Sequence, residues 1–205
     1  MSTHRASEQM LGYLYQVRYA LGLLLKNDNE HHQISIERFD DVAFSQNDTP
    51  KQMIQLKHHI RQQGNLSDAS TDMWRTLKVW IDAISINESL LADTDFVIIT
   101  TAKAPKDSVA SLLKSNDRNV DLAYLKLQQV ASMSDNKEHK SYYKAFSKLD
   151  EKLMKKLLGK IHVVDGASNV TDVSRDLRKV IRYSCMPNMR IKFLSVSRVG
   201  GISER

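Results

Sequence analysis

Two stretches, Ile34-Ser35-Ile36-Glu37-Arg38-Phe39-Asp40-Asp41-Val42 and Gln52-Met53-Ile54-Gln55-Leu56-Lys57-His58, decide the expected fold of this chain. Each alternates apolar and polar residues with a period of two, which is typical of a β-strand with one buried face. Residues 45–51 contain Asn, Asp and Pro and predict a connecting turn. We therefore expect the two strands to form an antiparallel hairpin.

Side chains alternate across a strand, so sequence parity predicts which residues can meet. The apolar residues of each strand share one parity and should face the core; they are Ile34, Ile36, Val42 and Phe44 in the first strand and Ile54 and Leu56 in the second. The opposite face then carries Glu37 and Asp41 on the first strand, and Gln55 and Lys57 on the second. Asp40 has the parity of the apolar residues, and only a bend at the Asp40-Asp41 pair would exchange the two acids.

The remaining sequence predicts an α/β protein. We expect helices over residues 8–26, 72–91, 108–114, 121–133, 138–158 (with a break near Ser147) and 170–183, and further strands over 95–101 and 160–165. The unbroken apolar run of residues 96–99 is typical of a strand buried on both faces. We expect residues 1–105 to form the core and residues 106–205 a mostly helical extension that completes the domain.

Composition limits the possible classes of protein. The chain has 205 residues, 41% of them hydrophobic, which is enough for one domain with a proper core. Its single cysteine, Cys185, excludes an intrachain disulfide and favours a reducing compartment. Because no signal peptide or membrane span is evident, we expect a soluble, cytoplasmic protein. The formal net charge of +6 is compatible with a polyanionic partner.

The residues on the polar face suit metal-dependent phosphodiester hydrolysis. Mg²⁺ and Mn²⁺ prefer oxygen ligands and keep several waters, so one or two carboxylates and a carbonyl oxygen suffice. Asp41 would be the main ligand, with Glu37 as a second carboxylate and the Gln55 amide as a neutral oxygen. Lys57 would orient or deprotonate the attacking water.

Four segments resemble a known family. They are Gly12-Tyr13-Leu14-Tyr15-Gln16, residues 36–42, Gln55-Leu56-Lys57-His58-His59 and Asp72-Met73-Trp74-Arg75-Thr76-Leu77. Together they resemble the PD-(D/E)XK (restriction-endonuclease-like) superfamily, in the variant with Gln at the acidic position of the third motif. The resemblance extends to the double-stranded DNA endonuclease domain of SAVED-linked effectors in bacterial CBASS defence, and to nuclease-like subunits of ABC-three-component antiphage systems.

This resemblance implies a restriction-endonuclease-like core, a short mixed sheet flanked by helices, with a helical C-terminal part. It gives Asp41 the role of the second-motif aspartate and Gln55 and Lys57 the role of the third-motif pair. Gln16 takes a first-helix position at which relatives often have Glu. The implied activity is Mg²⁺- or Mn²⁺-dependent cleavage of double-stranded DNA in antiphage defence, by an oligomer that works with other defence-system subunits.

Two further groups of basic residues are candidates for DNA contact. His58 and His59 follow Lys57 out of the expected site, and Lys152, Lys155 and Lys156 lie on a predicted helix. Zinc binding is disfavoured because adjacent strand residues point to opposite faces and no Cys or His stands at a companion spacing.

Less specific alternatives stay open. The charged residues of the two strands would also suit cross-strand ion pairs on a solvated face, and the lysines a solvated helix. The chain would then be a catalytically silent DNA-binding or complex-forming subunit with the same fold, or a small helical interaction protein.

Overall fold

The computed structural model describes residues 3–27, 29–57, 66–116 and 118–184. It confirms an α/β protein in which a five-stranded mixed sheet is flanked by helices and followed by a helical C-terminal part. The elements are α1 (Thr3–Lys26), β1 (Gln33–Ile36), β2 (Val42–Gln46), β3 (Thr49–Lys57), α2 (Thr71–Ile86), α3 (Leu90–Asp93), β4 (Asp95–Thr100), α4 (Val109–Leu112), α5 (Val120–Met133), α6 (Lys140–Lys148), α7 (Glu151–Lys160), β5 (Ile161–Val164) and α8 (Val170–Ser184).

The sheet combines antiparallel and parallel pairing. Its strands follow one another in the order β1-β2-β3-β4-β5, with β1, β2 and β3 antiparallel and β3, β4 and β5 parallel. The carboxyl ends of β3, β4 and β5 therefore lie at one end of the sheet, beside the amino end of β2. We call this end the carboxyl edge. Residues 106–184 contribute β5 to the same sheet.

The prediction of one strand over residues 34–42 is wrong, because two antiparallel strands and a tight turn occupy this stretch. Residues 37–41 form the turn, in which Glu37 has a left-handed backbone (φ 59°) and its N–H donates to the Asp41 carbonyl oxygen at 3.2 Å. The apolar residues before the turn and those after it are separated by an even number of positions. The alternation of apolar and polar residues therefore continues across the turn, as it would along a single strand. The predicted pairing of the second strand is correct, since β3 lies antiparallel to β2 with Val42 opposite Ile54.

Helices cover both faces of the sheet. On one face α1 and α8 pack on the sheet around Tyr15, Phe44, Ile54 and Leu177. On the other face the larger core contains both tryptophans, Trp74 and Trp80, which are fully buried as the apolar stripe of α2 predicts.

The expectation that only one face of β3 is buried is consequently wrong. Met53 and Gln55 are both buried on the α2 side, at 2% and 6% exposure. A period of two distinguishes the two faces of a strand, but it does not tell whether a helix covers the more polar one. Trp80 and Thr76 of α2 are the residues that make this face an interior one.

Local signals explain where the helices begin and end. Ser70 caps α2, accepting a hydrogen bond from the Met73 N–H at 3.3 Å, and Asp150 caps α7 in the same manner. The helix predicted over residues 72–91 ends at Ile86, and the break predicted near Ser147 lies at residues 149–150. Within the described part of the chain, no helix combines the length and the apolar character that crossing a membrane requires.

Arg118 links three segments on the side of the sheet remote from α1. Its guanidinium donates to the carbonyl oxygens of Leu113 at 3.0 Å, Leu158 at 2.8 Å and Ile161 at 2.8 Å, and also to that of Gly159. The last carbonyls of a helix lack partners within the helix. Arg118 therefore caps the C-terminal end of α7 and holds the first residue of β5 in position.

We expect Arg118→Ala to lower the free energy of unfolding by about 2 kcal/mol, since hydrogen bonds to charged groups contribute about 1.5–3 kcal/mol. Urea denaturation followed by circular dichroism measures the change. Arg75→Ala removes an exposed arginine from α2 and is the control, with an expected change within about 0.5 kcal/mol. Equal decreases in the free energy of unfolding in the two variants would contradict the role of Arg118.

Candidate functional site

Five side chains from three elements meet near the carboxyl edge. Asp40 and Asp41 end the β1–β2 turn, Gln55 and Lys57 end β3, and Gln16 lies on α1. The register that pairs Val42 with Ile54 brings the two acids beside the last residues of β3. We call these five residues the carboxyl-edge site.

Asp41 is held by the strand beside it. Its Oδ2 accepts a hydrogen bond from the Leu56 N–H at 2.8 Å, and the Gln16 side chain beside the same carboxylate lowers its pKa. Burial raises the pKa of Asp41, whereas the charge of Lys57 lowers it. The structure thus brings Asp41 near Lys57 and Gln16, three residues that the sequence assigned to one site.

Asp40, which sequence parity made the poorer candidate, is a buried neighbour of Asp41 and Gln55. It is 8% exposed, and its Oδ2 accepts a hydrogen bond from the indole Nε1–H of Trp80 at 2.6 Å. Its Oδ1 accepts from the Asp41 N–H at 3.0 Å and from the Gln55 amide. The bend at the acid pair turns Asp40 towards α2. Burial raises the pKa of Asp40 to about 6, against the hydrogen bonds from Trp80 and Gln55, which lower it.

Asp40 also fixes the direction of the Gln55 amide. An ionised carboxylate only accepts hydrogen bonds and an indole N–H only donates, so Gln55 presents its NH₂ group to Asp40. Its Oε1 then faces the other way, where it accepts from Lys57 Nζ and, at 3.5 Å, from Thr76 Oγ1. The chain of bonds from Trp80 through Asp40 and Gln55 thus ends at the lysine.

Gln16 contributes an oxygen without a partner. Its Oε1 is buried and makes no hydrogen bond within the part of the chain that the structure describes, although the side chain lies beside Asp41. A buried acceptor left unpaired costs about 1–3 kcal/mol. Such a group is most often explained by strain or by a bound water or ion.

The other predicted residues have different surroundings. Glu37 is exposed in the turn and not on a strand, which corrects its expected position, and its charge raises the pKa of Asp41. His58 and His59 lie outside the described residues. On α7, Lys155 Nζ makes ion pairs with Asp121 at 2.7 Å and Glu151 at 2.9 Å.

Oxygen donors near the carboxyl edge suit a hard cation better than a soft one. They are one carboxylate, on Asp41, and the amide oxygens of Gln16 and Gln55. Across residues 3–27, 29–57, 66–116 and 118–184, no three His, Cys, Asp or Glu side chains form a group that could hold a metal ion. An ion at this site would therefore depend on amide oxygens and water for its other ligands.

Comparisons with known proteins do not assign the chain to a family. No protein-family model matches it, and no curated protein sequence matches it. The residues of the carboxyl-edge site are therefore the only basis for its chemistry.

Asp40→Asn should remove a pH-dependent part of the stability. The pKa of Asp40 is about 6 in the folded protein and about 3.9 in an unfolded chain, so the native state binds more protons between these values. Asp40 therefore lowers stability as the pH rises from about 4 to about 6, by on the order of 2 kcal/mol. Urea denaturation at pH 4.5, 5.5 and 7, with a chelator present, should show this fall in the wild type and a smaller one in the variant.

Asp48→Asn is the matched control, because Asp48 is an exposed acid in the turn between β2 and β3. This variant should keep the pH dependence of the wild type. A fall of the same size in Asp40→Asn and in the wild type would show that Asp40 does not cause it.

Proposed function

We propose that this protein is a metal-dependent endonuclease that cleaves double-stranded DNA. One observation carries the proposal: a carboxylate, two amide oxygens and a lysine from α1, the β1–β2 turn and β3 lie together at one edge of the sheet. One of those oxygens, Gln16 Oε1, is buried without a partner among the described residues. Oxygen donors beside a lysine suit the polyanionic substrate and the hard cation that phosphodiester hydrolysis requires.

The architecture is compatible with this activity. A short mixed sheet flanked by helices is what the resemblance to PD-(D/E)XK nucleases implies, and the β1–β2 turn and β3 carry the residues that correspond to its second and third motifs. Ligands of open α/β sheets commonly bind beside the carboxyl ends of the strands, which is where these residues lie.

Each residue then has a defined task. Asp41, Gln16 and Gln55 would hold Mg²⁺ or Mn²⁺, which supplies a Lewis acid that polarises the scissile phosphoryl group. Lys57, whose Nζ is held by Gln55 Oε1, orients the attacking water and offsets the charge that develops on the phosphate. Asp40 contacts neither metal nor substrate and keeps the Gln55 amide turned towards Lys57.

The chain would act in bacterial antiphage defence, together with other subunits, by the same resemblance. A second candidate function is that of a catalytically silent DNA-binding or complex-forming subunit. It is favoured by the low negative charge of the site, because Trp80 and Gln55 occupy both oxygens of Asp40 and leave Asp41 as the carboxylate for a cation.

Asp41→Asn and Lys57→Ala should each slow plasmid cleavage by about a hundredfold or more, because each removes a charge that acts on the reacting phosphate. Supercoiled plasmid incubated with Mg²⁺ or Mn²⁺ and analysed on agarose gels measures the rate. DNA affinity measured with a chelator should change little. Asp95→Asn, at the opposite end of the sheet, is the control and should leave cleavage unchanged.

Two outcomes would contradict this assignment. Metal-dependent cleavage that survives both substitutions would exclude the carboxyl-edge site as its source. A wild-type protein that binds DNA but never cuts it with either metal would instead support the silent subunit.

Gln16→Met should raise the Mg²⁺ concentration needed for half-maximal cleavage by about tenfold, since methionine keeps the volume but removes the oxygen. The maximal rate at saturating metal should fall much less. Gln52→Met makes the same change at the exposed amino-terminal part of β3 and should leave the metal dependence unaltered. An unchanged metal requirement in Gln16→Met would remove Gln16 from the site.

A further inference from the structure

The positive charge of the chain is concentrated at its C-terminal end. Residues 170–205 contain eight Lys and Arg against three Asp and Glu, a formal charge of +5 out of +6 for the whole chain. The first 169 residues are thus nearly neutral. Such asymmetry indicates a segment that binds a polyanion.

The described part of this segment is α8, which is strongly amphipathic. Val173 and Leu177 are buried in the core that α8 shares with α1, and Leu177 lies beside Gly22. The opposite face presents Arg175, Arg178 and Lys179, together with Arg182, to solvent. The apolar side therefore belongs to the core, and the basic side is the exposed surface of the helix.

Two of these cations have acidic neighbours and two do not. Arg175 pairs with Asp172 at 2.6 Å and Lys179 with Asp176 at 3.8 Å. Arg178 and Arg182 make no ion pair with any residue of the described ranges, and they stand one helical turn apart on the same face. Two guanidinium groups at this spacing are available to bind anionic groups on a partner.

The basic face starts close to the carboxyl edge. The loop before α8 is tied to this edge by the Ala167 N–H, which donates to the Thr100 carbonyl oxygen at 2.9 Å. Tyr15, the neighbour of Gln16, donates through its hydroxyl to the Ser168 carbonyl oxygen at 3.0 Å. From there α8 extends for about 22 Å, given a rise of 1.5 Å per residue.

We propose that the exposed basic face of α8 binds the phosphate backbone of double-stranded DNA. A row of arginines matches a row of phosphates, and arginine forms bidentate hydrogen bonds with phosphate oxygens. A basic amphipathic helix that binds a bilayer inserts its apolar side, but the apolar side of α8 is already buried against α1. This inference goes beyond the proposed cleavage, because it concerns binding and does not require a working catalytic site.

The test compares two double variants with the same loss of charge. Arg178→Gln with Arg182→Gln changes α8, and Lys140→Gln with Lys144→Gln changes α6, whose exposed lysines have the same spacing and lie on a helix that packs with the other core. Binding of a fluorescently labelled DNA duplex is followed by anisotropy over a range of salt concentrations. A chelator prevents cleavage, so this measurement is independent of catalysis.

We expect the α8 variant to lower the slope of log affinity against log salt by about 1.8, because each phosphate contact contributes about 0.9. The α6 variant should keep the wild-type slope. Arg178→Lys with Arg182→Lys keeps the charge and should retain most of the slope, which separates lost charge from altered folding.

The proposal is overturned if the wild type does not bind the duplex, or if the α8 variant keeps the wild-type slope. It is also overturned if the α6 variant loses as much as the α8 variant does, or if α8 proves necessary only for binding to phosphatidylserine vesicles. A protein that binds through α8 but never cuts would contradict the proposed cleavage and leave this inference intact.

Discussion

The buried carboxylate of Asp40 is the group on which the arrangement of the site depends. It joins three parts of the chain, since it ends the β1–β2 turn, accepts from the indole of Trp80 on α2 and accepts from Gln55 on β3. A buried carboxylate is costly unless its hydrogen bonds are made, and here both oxygens have donors. The packing of α2 on the sheet and the direction of the Gln55 amide are therefore two results of the same contact.

The two adjacent acids perform different tasks because the backbone turns between them. Asp40 faces the α2 side, where protein donors hold both of its oxygens, and Asp41 faces Leu56, Gln16 and Lys57. Burial raises the pKa of both carboxyl groups, and the hydrogen bonds that each carboxylate accepts act against this rise.

Much of the fold could be predicted from the sequence, and the errors have identifiable causes. The unbroken apolar run at residues 96–99 correctly indicated a strand buried on both faces, and every predicted helix has a counterpart. The turn at residues 37–41 was missed because it preserves the alternation on either side of it. Asp40 was ranked below Asp41 because parity places its side chain in the core, where an acid is unexpected. A buried tryptophan that needs an acceptor for its N–H was the signal that could have found it.

The packing of α1 against α8 has a consequence for how the protein forms during synthesis. Tyr15 and Ser168 are hydrogen-bonded although 153 positions separate them, and Leu177 completes the same core. A nascent chain emerges from its amino end, so the sheet can cover part of α1 early, but the part that faces α8 stays uncovered until residues 168–177 have been made. Until then, that part of α1 is a surface to which a chaperone or a second nascent chain can bind.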